Sequence, residues 1–128
     1  MKKASACFRI LSVTVSPEEI SNEIGVKPTY VRLKGVLTGL EPSRNYVWEY
    51  AVADDEGDDL EEVLLRTFAG LEGAREAIVA LRDVERVAWC AVFSDQPETG
   101  VLLSHAAIQK LQAFLTELSV HFYVSTFE

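Results

Sequence analysis

Apolar residues Phe8, Ile10, Leu11, Val13 and Val15 are dense enough across residues 6–15 to predict an interior first strand. Ser16, Pro17 and Glu19 then place an N-cap, a proline at the first helical position and the return glutamate of a capping box, with Val15 and Ile20 at staple positions. Gly25 supplies a left-handed stop and Pro28 prevents resumption. Residues 27–45 show no clean period, and Gly35, Gly39 and Pro42 mark them as a long loop. A second strand is predicted over 46–52, with Tyr46, Trp48, Tyr50 and Val52 on one face and Val47, Glu49 and Ala51 on the wetter other. Asp58 and Glu61 open a helix carrying Leu60, Val63, Leu64, Phe68 and Leu71, which Gly70 and Gly73 are expected to break. A further helical stretch holds Ala74, Ala77, Ile78 and Leu81.

The strand predicted over 86–94 is apolar on both faces, Val87, Trp89, Ala91 and Phe93 alternating with Ala88, Cys90 and Val92, which suits a central position. After a turn at Asp95–Gly100, Ser104 is read as the cap of a helix running to about Leu118, with Ile108, Leu111, Leu115 and Leu118 as its buried stripe. The last strand, 119–127, alternates Val120, Phe122 and Val124 with His121, Tyr123 and Ser125. Counting crossings, one helix between strands makes them parallel and a helical hairpin reverses direction. Strands one and two are thus expected to be parallel, as are three and four, the two pairs opposed. The expected fold is an α+β, ferredoxin-like two-layer sandwich, a single domain over residues 1–128, with a roughly four-stranded mixed sheet and helices on one face.

Composition narrows the function classes. The net charge of −8 opposes binding to nucleic acid, whose affinity rests on lysine and arginine displacing counterions, and favours encounter with a basic protein. No apolar run is long enough to span a membrane, and Arg9 interrupts the only stretch resembling a signal peptide, so the expected location is the cytoplasm. Cys7 and Cys90 lie inside predicted strands and read as core thiols.

Gly25, Val26, Lys27, Pro28 and Thr29, then Lys34, Gly35 and Trp48, resemble the signature of the bacterial domain of unknown function 4279 family. Pro17–Ile20, the acid-led helix from Asp58 and the closing strand with Phe122 and Tyr123 are similar too. The resemblance carries no established activity. Families of this size and style that sit beside secreted toxins as immunity proteins supply a fold-level analogy.

Catalytic chemistry has no motif here. His105 and His121 lack a second ligand at metal spacing, position 109 being glutamine, so neither metal nor cofactor is expected. Cys90 and His121 can be sheet neighbours, but packed core residues are the preferred reading of that pair. Gly70–Gly73 lacks the strand context and lysine of a phosphate loop, and the acids of Asp54–Glu62 do not follow the calcium-loop order.

Two surfaces remain. In the acidic chain, Lys27, Arg32, Lys34 and Arg44 face only Glu41 across the 27–44 loop, and with Tyr30 and Trp48 they form a candidate cationic pocket with an aromatic wall. The bland alternative pairs these cations with the acids of Asp54–Glu62. On the sheet face without helices, Tyr46, Trp48, Tyr50, Trp89 and Tyr123, with Arg9, Glu49 and His121 among them, suggest an interface, expected to form a homodimer. The expected function is a non-catalytic binding module, of the immunity type masking a basic toxin. The alternatives are a small-ligand or anion-binding domain using the 27–44 loop, and an enzyme whose catalytic residues are dispersed along the chain.

Overall fold

The computed structural model describes residues 2–52, 56–57, 59–95 and 100–124. In chain order these form β1 (Lys2–Ser12), α1 (Pro17–Ile24), β2 (Tyr30–Arg32), β3 (Leu37–Thr38), β4 (Glu41–Pro42), β5 (Tyr46–Tyr50), β6 (Glu56–Gly57), α2 (Leu60–Leu71), α3 (Arg75–Ala80), β7 (Glu85–Ser94), α4 (His105–Ala113) and β8 (Glu117–Val124). A six-stranded mixed sheet has the order β2-β5-β1-β7-β8, with β6 pairing to β1, while β3 and β4 form a separate small ladder. The protein is α+β, and its sheet backs onto helices on one side.

Local signals hold at α1. The Ser16 hydroxyl accepts the Glu19 N–H at 3.3 Å, Gly25 adopts φ 70°, and its N–H closes onto the Ser21 carbonyl at 2.9 Å. At α2, the expected cap Asp58 lies outside the described residues, and Asp59 accepts the Glu61 N–H at 3.1 Å. Ser104 precedes α4 without a side-chain cap bond of its own helix; hydrogen bonding from its side chain and then from its N–H holds the Glu61 carboxyl below the ordinary range.

Chain direction corrects the expected topology. β7 and β8 are parallel and β1 opposes β7, but β1 and β5 are antiparallel, with Phe8 opposite Tyr50 and Arg9 opposite Glu49. The reason is β2. This three-residue strand inside the supposed loop pairs antiparallel to β5, so after α1 the chain crosses the sheet once more before β5 begins. The sheet order and that antiparallel pair depart from the ferredoxin-like arrangement.

The core lies between the sheet and the helices. Ala4, Ala6, Phe8 and Ile10 of β1 face it, joined by Trp48, Ala88, Cys90 and Val92. Leu60, Val63, Leu64, Phe68 and Leu71 of α2 and Ile20 of α1 complete it. Two helix expectations change. α4 ends at Ala113, and its inward stripe is Ala107, Leu111 and Phe114, while Ile108, Leu115 and Leu118 are exposed. Leu115 turns left-handed at φ 51° and Thr116 N–H bonds back to the Leu111 carbonyl, so the chain leaves the helix in time to align Glu117 with Val87.

Gly70 does not break α2, which continues through it to Leu71. Its missing side chain serves packing instead: a Cβ there would overlap the Tyr50 hydroxyl and lie 3.1 Å from the Tyr50 ring Cζ. Gly70→Ala is therefore expected to lower stability by about 1 kcal/mol, because an overpacking cost of roughly 1–3 kcal/mol outweighs alanine's helix-propensity gain of about 1 kcal/mol. Adding Tyr50→Phe should recover part of the loss. Thermal melting of the wild type and the two variants checks both statements, and a stabilised Gly70→Ala protein would contradict them.

Candidate functional site

The sheet face opposite the helices carries Cys7 and Arg9 of β1, Glu49 of β5, Trp89, Ala91 and Phe93 of β7 and Ser119, His121 and Tyr123 of β8, as the strand registers require. Planar side chains form a row across it. Arg9 Nε donates to Glu49 Oε1 at 2.7 Å, and the Arg9 guanidinium carbon sits 4.6 Å from the Trp89 ring centroid. On the β8 side, His121 stacks on Trp89 with centroids 4.7 Å apart and planes 29° from parallel. Ser119 Oγ hydrogen-bonds His121 Nε2 at 2.9 Å and fixes the imidazole's orientation. Tyr30 of β2 stands opposite Glu49 and extends the row to the far edge. Beside this row Phe93 and Tyr123 stack at 4.9 Å, and each is nearly half exposed, at 47% and 46%.

Each neighbour stiffens the next. Glu49 restrains Arg9, and a guanidinium over an indole face gains about 0.5–2 kcal/mol depending on desolvation. Aromatic pairs in these geometries add about 0.5–1.5 kcal/mol beyond area burial. The result is a preorganised platform of flat groups. Next to it, Cys7, Arg9, Glu49 and Trp89 line a depression of about 170 Å³.

Burial favours the protonated form of both thiols. Burial, with the Glu49 charge adding to it and Arg9 opposing, pushes Cys7 up to about 12, and burial alone takes Cys90 to about 12. Although on paired strands, they point to opposite faces: Ala6 is the register partner of Cys90 and Trp89 that of Cys7. The same alternation separates Cys90, in the core, from His121 on the open face, so the Cys90–His121 pair does not form. Among the described residues no three His, Cys, Asp or Glu gather as metal ligands. His105 meets Gln109 at 3.1 Å on α4.

The expected interface residues divide by strand. Trp89, His121 and Tyr123 lie on the open face, with Arg9 and Glu49 on the β1 side of Trp89. Tyr46, Trp48 and Tyr50 turn to the helices, and Trp48 is fully buried with its indole N–H donating to Ser21 Oγ at 3.0 Å. Trp48 is therefore unavailable as the wall of a pocket. Phe93, which the sequence reading left out, completes the platform; its alternation with Trp89 was the available signal.

The 27–44 segment is more structured than expected, holding β2 and the β3–β4 ladder. Tyr30 and Arg32 share the open face through their partners Glu49 and Val47, while Lys27 and Arg44 are exposed. Lys34 Nζ donates to the Val13 carbonyl at 3.0 Å, and Arg32 Nε is shielded from water with no acceptor among the described residues. Asp54, Asp55 and Asp58 of the acidic turn proposed as their counterpart lie outside those residues. Leu40, at the hairpin tip, is 99% exposed.

No helix among the described residues is long and apolar enough to cross a membrane. No curated protein and no solved structure matches the chain. A family model does: the one described as "Domain of unknown function (DUF4279)" matches residues 2–125, nearly the whole chain, so the protein belongs to that family.

Proposed function

We propose that the protein is a non-catalytic interaction module whose binding surface is the open sheet face. The observation that carries this reading is the row Arg9–Trp89–His121, stacked across three strands on a face that no helix among the described residues covers. Aromatic and arginine side chains held rigid in this way lose little conformational entropy on binding, which is why such groups dominate interface energetics. The net charge of −8 favours a basic protein as partner, since the summed field speeds its encounter before any contact forms. A cytoplasmic immunity-type protein that masks a basic toxin fits both features.

Co-expression with the product of the adjacent gene, followed by calorimetry, tests the reading. Binding should weaken as salt rises, and Trp89→Ala should reduce affinity about thirty-fold, the ~2 kcal/mol of an aromatic hot spot, when measured well below the variant's melting temperature, which falls as the contacts to Arg9 and His121 are lost. No binding and no protection of cells expressing the toxin, or undiminished binding by Trp89→Ala, would overturn it. A second reading, anion binding by the 27–44 segment, is favoured by Arg32 Nε, which is shielded and has no acceptor among the described residues. Under that reading Arg32→Ala abolishes anion binding and Trp89→Ala leaves it intact.

A further inference from the structure

The sheet ends on β2 at one side and β8 at the other. An edge strand presents unpaired N–H and C=O groups that recruit another strand unless shortness or charge blunts it. β2 is blunted both ways, being three residues long, with Arg32 in it and Lys34 two residues beyond. β8 is not. It runs for eight residues, and after Glu117 the stretch Leu118–Val124 carries no acid, lysine or arginine. Among the described residues β8 pairs only with β7. Its second half is exposed on both faces, Tyr123 on the open side, and Phe122 and Val124, at 49% and 47%, on the helix side.

We infer that β8 is the site where two copies of this chain pair, edge to edge and antiparallel about a two-fold axis near His121. Charge selects the occupant. A basic partner finds no acid along Leu118–Val124, whereas a second copy of this acidic chain meets there no like charge. Two-fold antiparallel pairing also makes the strand its own complement. Val120 then stands opposite Phe122 of the second copy, Ser119 opposite Tyr123 and Leu118 opposite Val124, so each exposed apolar side chain acquires a cross-strand neighbour. The pairing joins two sheets into one and sets the two aromatic platforms side by side. It differs from the face-to-face homodimer expected from sequence, because it leaves the open face free for another protein.

Sedimentation velocity of the full chain from low to high micromolar concentration tests this, together with Phe122→Lys/Tyr123→Lys, which charges the edge at two half-exposed positions. The wild type should be a concentration-dependent dimer, and the double variant should dimerise at least ten-fold more weakly. Hydrogen exchange on the wild type removes any dependence on how the variant folds: dilution should accelerate exchange in residues 117–124 and leave β1 unchanged. Trp89→Ala, which removes the proposed partner surface, should still dimerise, so this inference and the proposed function fail separately. A wild type that stays monomeric at high micromolar concentration, a dimer that persists in the double variant, or β8 exchange indifferent to dilution would overturn the inference.

Discussion

Phe8→Ala is expected to destabilise the protein by about 3–5 kcal/mol, the cost of emptying a large aromatic from a packed core. Phe8 is fully buried on β1, where its ring meets Phe68 of α2 edge-on at 6.0 Å and Phe114, just past α4, at 6.3 Å. Phe68 and Phe114 are themselves 4.8 Å apart, so the three rings join the central strand to two helices at one point. Removing Phe8 takes away both edge contacts and leaves a cavity whose walls belong to different elements and cannot close together. Against a total stability of about 5–15 kcal/mol, the loss is a large share. Urea denaturation should show a much lower midpoint, with Val13→Ala, at an exposed position, moving it by less than about 0.5 kcal/mol. An unchanged Phe8→Ala midpoint would mean that this cluster is not the core.

The second large effect is expected at Arg86, whose guanidinium closes the end of α3 from the neighbouring strand. Nε donates to the Ile78 carbonyl at 3.0 Å, and Nη2 to the carbonyls of Ile78, Val79 and Leu81 at 2.8, 3.1 and 2.8 Å. α3 is six residues long, with no basic residue in its last turn, so apart from the Leu81 N–H, which reaches the Ile78 carbonyl at 3.3 Å, its final carbonyls rely on this outside donor. Partial burial lowers the affinity of the guanidinium for its proton, yet an arginine stays charged at any ordinary pH. Arg86→Ala should cost about 2–3 kcal/mol, as charge-assisted bonds are lost and carbonyls are left without partners. Arg86→Lys should recover only part, because one ammonium cannot reproduce the fork. Melting temperatures measure the loss, and faster hydrogen exchange at residues 75–80 locates it. A neutral Arg86→Ala would show that water satisfies those carbonyls equally well.

Only some of the candidate site was legible in the sequence. Alternation along 46–50 correctly separated Tyr46, Trp48 and Tyr50 from Val47 and Glu49, yet the aromatic set faces the helices, not the open side. Alternation defines two faces; which one turns inward depends on what packs there, and here Ser21 of α1 and the missing side chain of Gly70 accommodate Trp48 and Tyr50. Arg86 gave a weaker clue, a cation beside Glu85 at the start of an otherwise apolar strand, shortly after a helix with no basic residue in its last turn.

What the residues determined by themselves is what short-range chemistry can decide. Ser16, Pro17, Glu19 and Gly25 start and stop α1 within ten positions, because a cap and a left-handed glycine act on neighbouring backbone. The doubly apolar run of β7 announced an interior strand, and its single-helix connection announced the parallel pairing with β8. Tertiary structure decided the rest. Three-residue β2 is too short to show a period, yet it reverses the direction of β5. The row of Glu49, Arg9, Trp89 and His121 draws on four strands far apart in the chain, and only their register, set by core packing on the opposite face, brings those side chains into line.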